Sequence, residues 1–190
     1  NRCFLLIFCI STGYVMKRGL LVYFLMLGFL FGYGQQDTLA KRKPGPTDIP
    51  NTNLRITPPA YFRAVSEING FIHPGTSSSI TATQVEGTSY LQVAEGLTSE
   101  YFKSQGVTLI SSENVKTASG MDGMLFIVGF SVASKDSSQK VMQYERLMLF
   151  TGDYHRTAWV TANYPVMVKK VIYNVLRESI LTVEFKNNND

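Results

Sequence analysis

The chain of 190 residues carries 18 Lys and Arg against 14 Asp and Glu, a formal net charge of +4, with 45% hydrophobic residues; that length admits one domain with a sizeable core and leaves no comfortable room for two. The first 34 residues hold both cysteines, Cys3 and Cys9, and three basic residues, Arg2, Lys17 and Arg18. Without them 15 basic side chains face 14 acidic ones, so disulfides, a thiol nucleophile and the electrostatic footprint of a nucleic-acid binder are all excluded.

Taken from the N-terminus, Met16-Lys17-Arg18 precedes an apolar run from Gly19 to Phe31 and then Gly32-Tyr33-Gly34. Charged, apolar and small-x-small regions in that order predict a secretory signal peptide over residues 1–34, cut after Gly34, with translation starting at Met16. A run of about 13 apolar residues falls short of the ~20 that span a bilayer. The competing expectation is an uncleaved anchor, to which the apolar stretch Cys3 to Tyr14 would add a second arm. No Cys follows the apolar run to receive a lipid.

Residues 35–52 combine Gly45, three prolines and Lys41-Arg42-Lys43 with few apolar side chains, which predicts a flexible, dispensable linker with a solvated basic triplet. The folded domain is expected over residues 53–190. Leu54 to Thr57 and Tyr61 to Val65 read as short extended pieces around Pro58-Pro59, and Phe71 to His73 and Ser79 to Val85 as strands parted by Pro74-Gly75. Thr88 or Ser89 then caps a helix with Tyr90, Ala94, Leu97 and Tyr101 at the helical period, ended by Gly106. Four longer strands follow, Val107 to Val115, Met124 to Ser134, Val141 to Thr151 and Tyr154 to Asn163, with connections short enough only for antiparallel neighbours. Pro165 opens a second helix with Val168, Val171, Ile172, Val175 and Leu176 on one side, and Ile180 to Phe185 adds an edge strand. The two helices are expected to bury Leu97, Tyr101, Val171 and Val175. Together these elements predict an α+β fold, helices packed on a twisted, mainly antiparallel sheet.

The run Ile56-Thr57-Pro58-Pro59-Ala60-Tyr61-Phe62, then Gly70-Phe71, Ser78-Ser79-Ile80-Thr81 and Val160-Thr161-Ala162-Asn163-Tyr164-Pro165 resembles the PsbP-like and DcrB-like proteins over about Asn53 to Leu181. The resemblance implies an α/β/α sandwich with two main helices. It implies no catalytic residue, since the matched positions are Pro, Gly and apolar residues, and fold is not function.

Reactive constellations are sparse. His73 and His155 are the two histidines, and neither has the neighbours at short spacing that a metal site needs, so no metal and no cofactor are expected. Ser77-Ser78-Ser79 with either histidine would be the raw material of a hydrolase, but no G-x-S-x-G elbow is present. Glu113, Glu145 and Glu184 fall on separate strands and read as solvated rather than as a glycosidase pair. Gly120-Met121-Asp122-Gly123 lacks the third glycine and the helix of a phosphate cradle.

A face remains. If Gly152-Asp153 closes a two-residue turn, Phe150 pairs with His155, Met148 with Thr157, Arg146 with Trp159 and Tyr144 with Thr161. Tyr144, Arg146, His155, Thr157, Trp159 and Thr161 then share one side, with Leu147, Leu149, Ala158, Val160 and Ala162 on the other. The first side is either a second core layer, with Trp159 buried and Arg146 stacked over it, or an aromatic and basic groove for an extended polar ligand or partner segment. The reading that follows is an exported, periplasmic or extracellular, non-enzymatic binding or accessory protein of the envelope. Its expected partner is an envelope protein or a small polar ligand, not nucleic acid, and it meets the membrane only if the N-terminal segment is retained. An exported Ser/His hydrolase and an N-terminally anchored structural component are the alternatives.

Overall fold

The structure, a computed structural model, describes residues 45–133 and 141–186. The expected signal segment, the linker as far as Pro44 and the connection Lys135 to Lys140 lie outside the described residues.

Ten strands are present among the described residues: β1 (Thr47–Asp48), β2 (Leu54–Ile56), β3 (Arg63–Val65), β4 (Gly70–His73), β5 (Ser78–Glu86), β6 (Thr108–Lys116), β7 (Asp122–Ala133), β8 (Val141–Gly152), β9 (Arg156–Pro165) and β10 (Glu184–Phe185). Three α-helices accompany them among the described residues: α1 (Tyr90–Glu95), α2 (Ser99–Ser104) and α3 (Lys169–Ile180). Seven strands form one antiparallel sheet in the order β3-β4-β5-β9-β8-β7-β6, and β1-β2-β10 form a small second sheet. The alternation of β8 and β9 gives the large sheet two apolar faces, and each has its own cover. On one, Leu125, Leu147, Leu149, Val160 and Tyr164 pack with Ile172, Leu176 and Ile180 of α3 and with Leu54 and Ile56 of the small sheet. On the other, Phe126, Val128, Met148 and Phe150 pack with Ala94 and Phe102 of α1 and α2. The result is the α+β fold expected from the pattern, a mainly antiparallel sheet with helices on both faces. No helix among the described residues is long and apolar enough to cross a membrane.

Several local expectations change. The single helix ending at Gly106 is two short helices, because Gly96 favours no helical continuation and Thr98 starts anew, its hydroxyl accepting the Tyr101 N–H at 3.2 Å. Ser89 opens the first with a reciprocal capping box to Gln92. The break turns Phe102 inward and leaves Tyr101 46% exposed. On α3 the buried stripe is Ile172, Leu176, Ser179 and Ile180. Val171 and Val175 sit one position back, about 100° around the helix, and are 75% and 42% exposed.

The linker boundary also moves. Thr47 and Asp48 pair with Ile56 and Arg55, and Ile49 is 1% exposed within the core beneath α3. A lone isoleucine among prolines reads as linker in sequence, yet burying one such side chain is worth ~1.5–3 kcal/mol. That is enough to hold a two-residue strand in place.

Candidate functional site

The β8–β9 hairpin sets the site. Its turn is longer than two residues: Gly152 pairs with Thr157, and Asp153 closes the loop by donating its N–H to Arg156 O at 3.0 Å. The Asp153 carboxylate accepts the N–H groups of His155 (2.8 Å) and Arg156 (3.0 Å) and takes Arg156 Nε at 2.9 Å. These bonds, the His155 N–H first, hold the carboxyl below its ordinary value. Gly152 is needed here, since its φ is +151° and a Cβ would fall 2.2 Å from Arg156 O. The expected two-residue turn is therefore corrected, and β9 slides four positions along β8. Phe150 meets Trp159 rather than His155, and Arg146 meets Asn163 rather than Trp159. A slip by an even number preserves the faces. Tyr144, Arg146, Trp159 and Thr161 do share one side.

Two candidates are displaced. His155 sits exposed in the turn itself. Thr157 is fully buried, its hydroxyl donating to Thr88 O at 2.9 Å beside the start of α1, so it serves as a fastener rather than a contact.

Among the described residues the shared face is half covered and half open. Helices α1 and α2 sit over the Phe126, Val128, Met148 and Phe150 end. Across the strands, one row reads Arg63, Ile72, Ser79, Asn163, Arg146 and Val128; the next reads Gly70, Thr81, Thr161, Met148 and Phe126. Towards β3 and β5 each row leaves the helices, and Ser79, Thr81, Thr161 and Asn163 stay half-buried with Thr83 exposed. Trp159, 37% exposed, lies on Phe150 with ring centroids 5.3 Å apart and planes at 27°. It is neither a buried core tryptophan nor a free one.

Arg146 is held from two directions. Its Nε–H donates to Asn163 Oδ1 at 2.6 Å, and Asn163 Nδ2 in turn donates to Ser79 Oγ at 3.4 Å. Its guanidinium carbon lies 5.0 Å from the centre of the Phe130 ring, not over Trp159, and Phe130 stacks on Tyr144 at 5.7 Å. No carboxylate among the described residues pairs with it. Burial pulls its pKa below the ordinary guanidinium value. Thr81 and Thr161 share a 2.6 Å hydroxyl–hydroxyl bond beside it. Ser79, Thr81, Thr83, Phe130 and Asn163 were absent from the sequence-derived set. Alternation of Ser79, Thr81 and Thr83 on one strand was visible, but only the β5–β9 pairing places them beside Trp159 and Arg146.

A polar cleft of about 390 Å³, lined by Asn51, Thr52, Asn53, Asn69, Thr83 and Gln84, adjoins the floor at Thr83. Gln84 Oε1 is buried and finds no donor among the described residues.

The other candidate groups are engaged elsewhere. His73 Nδ1 accepts the Thr76 N–H at 3.1 Å, and Ser78 Oγ donates to Thr76 O at 3.4 Å. With Nδ1 taken by a backbone donor, the nitrogen that would be oriented by a triad carboxylate is already used. Glu113 pairs with Arg177 at 2.9 Å; Glu145 accepts from Tyr164 (2.5 Å) and Lys169 (2.8 Å) on the opposite face of the sheet. Among the described residues no three His, Cys, Asp or Glu side chains are grouped to hold a metal ion.

No protein-family model matches the sequence, and no curated protein does. Among solved structures the fold is similar to that of LpqN, described as involved in cell envelope biogenesis of Mycobacterium tuberculosis, with a TM-score of 0.50 at 10% identity, covering 78% of this chain and 88% of LpqN. At that identity the likeness concerns the fold alone.

Proposed function

We propose that the chain is an exported, non-enzymatic binding or accessory protein of the cell envelope, of the PsbP-like and DcrB-like kind, that works through the open half of its large sheet. One observation carries the reading: a half-buried hydroxyl- and amide-bearing floor, Ser79, Thr81, Thr161 and Asn163, has no helix over it among the described residues and runs between Trp159 at one end and Arg146 at the other. Four residue steps along β9, from Trp159 to the Asn163 that pairs with Arg146, separate those ends, about 13 Å of strand, the length of an extended polar ligand or a short peptide. Tryptophan and arginine are the side chains that most often anchor such contacts. The order of charged, apolar and small residues over Met16 to Gly34 and the likeness to a protein named for envelope biogenesis support the compartment.

The reading is tested by placing a photo-crosslinking side chain at Thr83, on the floor, or at Glu178, on the exposed side of α3, in cells making the full chain. A discrete envelope adduct from position 83 and none from 178 is expected. Equal labelling from both positions, or no adduct from 83, would remove the open face as the working surface.

A further inference from the structure

Arg146 is the charged group on this face whose environment is least self-sufficient. Its Nε is committed to Asn163, and its terminal nitrogens have no bonded partner among the described residues. A half-buried guanidinium normally finds a carboxylate, because the cost of removing its hydration is otherwise uncompensated. Here the neighbours are a ring face, an amide and hydroxyls: Phe130 at 5.0 Å, Asn163 at 2.6 Å, then the Thr81–Thr161 pair in the adjoining row. None of the strand residues on the open half is acidic, and the row that holds Arg146 ends in a second arginine, Arg63, at the β3 edge. The fork is also rigid. Asn163 is fixed by Ser79 from behind, and the Phe130–Tyr144 stack lies beneath, so little side-chain entropy remains to be lost on binding.

Resting on the reading of the open half as a binding surface, we propose that its ligand carries an oxyanion, a carboxylate or a phosphate, joined to a flat or apolar group, and that the oxyanion docks end-on against the terminal nitrogens of Arg146. A planar fork of two N–H donors matches either anion bidentately. The partly dry setting strengthens the pair relative to one in open water, and the Phe130–Tyr144 edge offers apolar surface to whatever the anion is attached to.

The probes are benzoate, phenyl phosphate and the neutral benzamide, titrated into the isotope-labelled full chain at fixed ionic strength and followed by the Arg146 Nε–H and backbone amide resonances. Benzoate, phenyl phosphate or both should move the Arg146 Nε–H and the amides of Ser79, Thr161 and Asn163 saturably, while benzamide does not. Whichever anion binds more tightly identifies the source. Arg146→Met and Arg146→Lys should each weaken that binding by about tenfold or more, the worth of a lost charge-assisted pair, the lysine variant because it keeps the charge but not the fork. A preserved amide spectrum without probe shows that either variant is folded; should methionine unfold the protein, the lysine variant carries the test. The proposal is overturned if benzamide shifts the same amides as strongly as benzoate, or if neither anion moves them. In both cases an adduct from position 83 would leave the binding reading of the face standing.

Discussion

Tyr164 is fully buried in the core beneath α3, and its hydroxyl survives there because Glu145 accepts it while Lys169 holds the other carboxylate oxygen. Burial first, then the hydrogen bond to the Glu145 carboxylate, raises the Tyr164 pKa far above its ordinary value near 10. The folded state thus retains a proton that the unfolded chain releases, so this contribution is complete below about pH 10 and is lost as pH rises beyond it. Urea unfolding at pH 8 and pH 11 should show a steeper alkaline loss for the natural chain than for Tyr164→Phe, which itself should cost about 1–3 kcal/mol at pH 8 by removing a buried donor. Identical alkaline slopes would show that Tyr164 does not titrate in this way. At this scale the sequence announced the tyrosine and the glutamate but not their meeting, since Glu145 reads as a solvated strand residue until β9 brings Tyr164 opposite it. Arg146 and Trp159 are the counterpart. Their chemical types marked them in the sequence, while their actual neighbours, Asn163 with Phe130 for the one and Phe150 for the other, came from the register.

Helix α3 shows how far a periodic pattern reaches. Five apolar residues from Val168 to Leu176 define an apolar side wider than the contact the helix makes, and pattern alone does not say which edge of it meets the sheet. The contact runs through Ile172, Leu176 and Ile180. Leu176→Ala should cost about 2–5 kcal/mol, whereas Val175→Asp, on the exposed side, should change stability by about 1 kcal/mol or less. Equal losses for both in thermal or chemical unfolding would mean the helix is rotated from the position described. The β8–β9 hairpin illustrates a milder failure. The turn departs from the two-residue form because the side chain of Asp153 builds its own hydrogen-bonded loop, which backbone turn rules for Gly-Asp do not include. The faces are nonetheless preserved, because alternation along each strand is indifferent to an even slip.

For the molecule as a whole, the second layer beneath α3 depends on segments far apart in the chain: β1 and β2 near the start, β10 near the end, and Ile49 between the first two. Deleting residues 45–52 from the full chain should lower the melting temperature by several degrees, since it removes β1 and a fully buried isoleucine; an unchanged melting temperature would return the segment to linker status. Local information sufficed for the α+β class, the antiparallel meander β6 to β9 and the inward set Leu147, Leu149, Val160 and Ala162, because hydrophobic alternation and short connections act over a few residues and need no distant partner. The join of β5 to β9, the pairing of β10 with β2 and the choice of which half of the second face α1 and α2 cover were decided only in the tertiary structure. Those pairings link residues some 70 to 130 positions apart, where no sequence periodicity carries phase from one segment to the other, so the packing of the completed layers chooses among registers that look equivalent in the unfolded chain. The open floor between Trp159 and Arg146 arises from that choice.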